Sequence, residues 1–103
     1  MPLDATDLFP TLTLRLKGEY WEQIRAGTKK HEFRLATPRN EKLILAQPHT
    51  LIAIWHGYPP AERTDRRLVF FWNGAVRQVL QHPHFGAEPV TVLAIDLSRP
   101  LNS

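Results

Sequence analysis

Nine prolines spread over 103 residues constrain this chain more than any other feature. Each fixes φ and removes a backbone N–H, so a long helix has nowhere to run and short elements joined by turns are favoured. Between the prolines the pattern is that of strands. The run TLTLRLK at 11–17 alternates strictly, with Leu12, Leu14 and Leu16 on one side and Thr11, Thr13, Arg15 and Lys17 on the other, which predicts a half-buried strand. Residues 50–55 are apolar on both faces and belong in the centre of a fold, with Ile52, Ile54 and His56 opposed to Leu51, Ala53 and Trp55. Two further apolar runs, 68–72 and 90–97, read as strands, and Trp72 is expected in the core.

The segment EYWEQIRAG predicts one short helix over 19–26, burying Tyr20, Ile24 and Trp21. Gly27 should close it, because a residue without Cβ takes the left-handed conformation at a helix end. From Lys30 the alternation resumes: Lys30, Glu32 and Arg34 share one face of a strand, and His31, Phe33 and Leu35 the other. Within 37–47, Pro38, Arg39 and Asn40 mark a turn, and 41–46 fit either a helical turn or a short apolar strand. Asn73-Gly74 predicts a tight hairpin with 75–80 as the return strand, a short helix over 75–81 being the rival. Residues 1–9 read as an arm anchored by Leu8 and Phe9, and 98–103 as a tail in which order ends at Pro100. The length suits one domain, residues 1–103, with a modest core. The fold class expected is α+β, mostly β: a small barrel with one or two short helices, closure being the economical way to remove exposed edges.

A formal charge of +3 and a pI near 9.7 favour an anionic partner, yet the excess is small for gripping duplex nucleic acid by charge alone. Without cysteine there are no disulfides and no thiolate nucleophiles or ligands. No apolar run approaches the roughly 18 residues of a membrane span, and MPLDATD lacks the basic and apolar parts of a secretory signal. A soluble, cytoplasmic protein with no membrane partner is expected.

Chemistry concentrates at 27–34. Gly27, Lys29, Glu32 and Arg34 satisfy G-x-K-x-x-E-x-R, a spacing that resembles the signature of the ASCH family, small β-barrel domains related to the PUA RNA-binding domain. The resemblance covers 12–34 well and 90–97 loosely. It implies a PUA-like barrel with a cleft for RNA or a nucleotide. Some small bacterial members are amidohydrolases acting on N4-acetylcytidine compounds, with a threonine nucleophile activated by the lysine that corresponds to Lys29. This chain has Glu32 where they have that threonine, so the covalent route is absent. Glu32 could instead act as a general base toward water, with Lys29 holding the oxyanion.

Three functions are therefore in play. The first is RNA or nucleotide binding, with Lys29, Lys30 and Arg34 at the charged corner, Trp55 and Tyr58 as a stacking wall, and Arg63 and Arg66, beside Arg67, as a phosphate clamp. The second is a hydrolase acting on RNA or a modified nucleoside, with Lys29 and Glu32 as its working pair. The third is a protein-interaction module without nucleotide chemistry. A plain ion network fixing the corner is the structural alternative for Lys29, Glu32 and Arg34. His82 and His84, with His49 or His56, lack the spacing of a zinc motif, so no metal and no cofactor is expected.

Overall fold

Prolines and glycines do cut the chain into short pieces. The computed structural model describes residues 4–59, 63–81, 83 and 86–101. They form, in order, α1 (Ala5–Leu8), β1 (Thr11–Leu16), α2 (Gly18–Arg25), β2 (His31–Leu35), α3 (Pro38–Ile44), β3 (Leu51–His56), β4 (Arg67–Phe71), β5 (Ala75–Leu80) and β6 (Val90–Asp96), with a 3-10 turn at Thr64–Arg66.

Among the described residues the strands make two three-stranded sheets, β1-β3-β4 and β2-β6-β5. β1 runs parallel to β3, from Thr11 opposite Leu51 to Leu16 opposite His56, and every other pairing is antiparallel. The expected strand at 11–17 is present with Leu12, Leu14 and Leu16 buried. β3 lies centrally in its sheet, as its two apolar faces require, and Leu51 to Ile54 are all buried. One core joins the sheets: Leu12, Leu14, Ile52, Ile54 and Phe70 from one meet Leu93 and Ile95 from the other, capped by Trp21 and Ile24 of α2 and Ile44 of α3. Each such side chain contributes about 1.5–3 kcal/mol on burial. Trp72 packs against this core while remaining partly exposed.

The sheets do not close into one barrel among the described residues. β1 pairs only with β3 and β2 only with β6, so these two strands each keep an open edge. At the far side the sheets are stitched together by the residues after β6. The Phe71 N–H donates to the Arg99 carbonyl at 2.8 Å, Leu101 N–H donates to Val69 at 2.9 Å, and Phe70 bridges Pro100. Order therefore continues through Pro100, contrary to the expected end, because the free edge of β4 supplies partners for its neighbours.

The expected hairpin is also corrected. Residues 75–80 are a strand, but β5 pairs with β6, Ala75 facing Ile95, and not with β4. Gly74 has φ of 93° as a turn requires, whereas among the described residues only glycines take positive φ, so Asn73 does not form the two-residue turn. Asp96 recruits both residues instead: its N–H donates to the Gly74 carbonyl at 3.1 Å, and its carboxylate takes a bond from the Asn73 side chain. The stretch at 37–47 contains α3, and the turn expected at Pro38, Arg39 and Asn40 is instead its first turn, started by Thr37, whose hydroxyl accepts from Asn40 N–H, and by Pro38.

Leu8 and Phe9 do not anchor the arm; both are exposed. Asp4 does so. It accepts from the Thr6 N–H and hydroxyl, at 2.9 and 2.6 Å, and pairs with Arg67 Nη2 at 2.9 Å. No helix among the described residues is long and apolar enough to cross a membrane.

The Thr6 hydroxyl first, and then the Arg67 guanidinium, hold the Asp4 carboxyl down from 3.8 to about 2. A carboxyl depressed on folding stabilises the fold fully above its unfolded value, and that contribution disappears as pH falls through the folded value. The melting temperature of Asp4→Asn should therefore lie below that of the wild type from about pH 5 to 7, with the gap closing toward pH 2. A gap unchanged at the acid end would exclude this pairing as its source.

Candidate functional site

The site begins where α2 stops. Gly27 takes φ of 80° and its N–H donates to the Ile24 carbonyl at 3.1 Å, while Thr28 N–H donates to Gln23 at 3.0 Å. These two bonds close the helix in the Schellman arrangement, which fixes the exit of the chain and with it the start of β2. Lys29 is thereby set with its ammonium 5.0 Å from the centre of the Tyr20 ring.

β2 turns its charged face inward. Glu32 lies opposite Ile95 and Arg34 opposite Leu93, both wholly buried on the central strand of the sheet, and directly opposed residues share a face. His31 and Leu35, on the other face, are exposed. Glu32 is only 4% exposed and is the one buried charged side chain among the described residues.

Both of its oxygens are answered. Oε1 accepts from Lys29 Nζ at 3.0 Å, and Oε2 accepts from Arg34 Nε at 3.1 Å with Nη2 at 3.0 Å. Arg34 Nη2 also donates to the Arg15 carbonyl at 3.2 Å, so this side chain spans the open seam between β2 and β1. The Arg15 carbonyl is available because strand carbonyls alternate in direction, and the next one, Leu16, is taken on the β3 side by Gly57 N–H.

The seam is a cleft of about 500 Å³. Lys29, Glu32 and Arg34 line it together with Arg15, Tyr20 and Asn40. Two cations and one carboxylate leave a local excess of positive charge, and the side chains of Lys29 and Arg34 remain 22% and 30% exposed. Such a site suits an anion or a carbonyl-bearing ring.

The remaining residues singled out in the sequence lie outside the lining. Lys30 is exposed just ahead of β2, its carbonyl accepting from Leu97 N–H. Trp55 sits between Arg15 and Arg67 in register, with the guanidinium carbons 5.6 and 5.7 Å from its ring centre. Tyr58 is exposed and stacks on Arg15. Arg63 is bound to Asp65 at the surface and Arg66 is exposed nearby. His82 and His84 lie outside the described residues. His49 Nε2 meets the Leu43 carbonyl, His56 packs edge-on against Trp21, and no group of three or more metal-ligating residues occurs among the described residues.

Sequence reasoning missed Arg15, Tyr20 and Asn40 as cleft residues. Helical spacing puts Tyr20 on the core-facing side of α2, and its ring does pack against the core while also lining the cleft. Thr37-Pro38 held the signal for Asn40, since a capping hydroxyl followed by proline marks a helix start.

Removing the carboxylate should unsettle both cations. We expect Glu32→Leu to lose about 2–3 kcal/mol of unfolding free energy in a denaturant titration, less than the roughly 3–5 kcal/mol of a fully enclosed pair, because water still reaches Lys29 and Arg34. Glu32→Gln should lose less. Wild-type stability in the leucine variant would show that the cluster does not hold this corner. Comparison with protein-family models, with curated proteins and with solved structures gives no match to this chain.

Proposed function

We propose that this chain is an RNA- or nucleotide-binding domain of ASCH type, with the β1–β2 cleft as its binding site. The observation that carries the reading is Glu32, buried at the cleft and held between Lys29 and Arg34. A lysine has three N–H donors and an arginine five, more than the bonds to Glu32 and to the Arg15 carbonyl use. Those donors take a phosphate or a base carbonyl. The cleft volume, about 500 Å³, lies within the roughly 300–1,000 Å³ of small-molecule sites and suits a single nucleotide unit. The PUA-like plan implied by the signature is a closed barrel; on this reading the seam left open at β1 and β2 is the ligand's entrance.

The same geometry argues for binding over hydrolysis. Taking a proton from water would cost Glu32 one of its two ion pairs, so it serves better as the strut that orients two cations than as a general base.

Lys29→Ala and Arg34→Ala should each weaken binding of a short single-stranded RNA and lower the slope of log affinity against log salt by about one. Titrations at two salt concentrations beside a melting curve separate this from loss of fold. Unchanged affinity in both variants would discard the cleft and favour a protein partner. Turnover of N4-acetylcytidine or RNA at about 1 per second or faster, abolished by Lys29→Ala and by Glu32→Gln, would replace the binding reading with the hydrolase.

A further inference from the structure

Arg15 faces two places at once. Its carbonyl closes the rim of the cleft by accepting from Arg34, while its side chain leaves the seam, donating from Nη1 to the Gly57 carbonyl at 3.2 Å. The guanidinium carbon lies 4.7 Å from the centre of the Tyr58 ring and 5.6 Å from that of Trp55. Tyr58 is nevertheless 85% exposed. A single exposed apolar residue needs no explanation in itself. This one differs in being held. Gly57 turns the chain through φ of 66°, and the arginine beneath the ring is itself tied to the Gly57 carbonyl, so one aromatic face is seated on a cation and most of the ring meets solvent. Trp55 offers no such surface, because Arg15 and Arg67 both lie against it.

We propose that Tyr58, backed by Arg15, is a second subsite that stacks the base next to the nucleotide in the cleft, so that the ligand is a single-stranded oligonucleotide and not a free mononucleotide. The proposal rests on the cleft reading and extends it. Aromatic stacking accepts any base and adds affinity nucleotide by nucleotide, and an arginine beside the ring supplies a donor for the intervening phosphate. Arg15 joins the two subsites, through its backbone at one and its side chain at the other.

Binding of adenosine 5′-monophosphate and of oligoadenylates from dinucleotide to hexanucleotide would be measured by calorimetry or by competition. Wild type should bind the dinucleotide about tenfold more tightly than the monophosphate. Tyr58→Ala should remove that increment and leave monophosphate affinity alone, and Tyr58→Phe should retain it. Equal affinity of wild type for monophosphate and dinucleotide would overturn the proposal. So would an increment that survives Tyr58→Ala, the result expected if the tyrosine serves a protein partner, or one lost equally in the phenylalanine variant. Failure of the cleft reading looks different: Lys29→Ala would then leave monophosphate binding intact while the Tyr58 increment persisted. No nucleotide binding at all would overturn both.

Discussion

A carboxylate withdrawn from water must be answered by donors, and burial of Glu32 organises much of what surrounds it. Its strand is pinned to β6, whose Leu93 and Ile95 lie in the core, so the side chain cannot turn outward without taking Arg34 with it. Two cations are therefore required on its inner side. One comes from the same face of the strand, two residues on. The other comes from the turn, where the Schellman closure at Gly27 delivers Lys29 three residues ahead of the carboxylate. The spacing of glycine, lysine, glutamate and arginine is thus a mechanical sequence: stop the helix, place a cation, bury the anion, then reach across the seam.

That reach matters because the two sheets meet unequally. On one side, residues 99–101 run along β4 and carry the chain of β6 from one sheet into the other by backbone hydrogen bonds. On the other side, β1 and β2 present edges to each other, and the described contact across them comes from a side chain, Arg34 to the Arg15 carbonyl. An open edge that is short, charged and partly covered is the usual way a protein keeps such a margin from pairing with strangers. Here the margin is also the rim of the cleft, with α3 reaching it through the Asn40 amide on the Leu35 carbonyl.

The parts read correctly from the sequence were those in which one physical requirement dominates locally. Alternation at 11–17 and the double apolar character of 51–54 fix burial whatever the partners are. Gly27 was legible because left-handed φ has few other solutions. Asn73-Gly74 misled because the local turn preference competes with a distant acceptor: Asp96, whose carboxyl is held below its ordinary range by the Ser98 hydroxyl foremost and then by the Ser98 N–H and Asn73, takes the asparagine side chain. Nothing within a few residues of Asn73 announces that. Sheet closure was illegible for a related reason, since it depends on which edges meet. The corner of Lys29, Glu32 and Arg34 was readable as a cluster, whereas its inward orientation came from β6, far along the chain.

The order of pairing carries a consequence for synthesis. β1, β3 and β4 can find one another once residue 71 has been made, because all their mutual ladders lie upstream of it. β2 and β5 cannot, since they do not pair together and each depends on β6. As the chain leaves the ribosome, the second sheet waits for residues 90–96, and the strand bearing Glu32 has no ladder partner until β6 is available. Lys29 and Arg34 enclose a buried Glu32 only once β6 backs the strand, so a nascent chain halted before β6 carries the signature without the site.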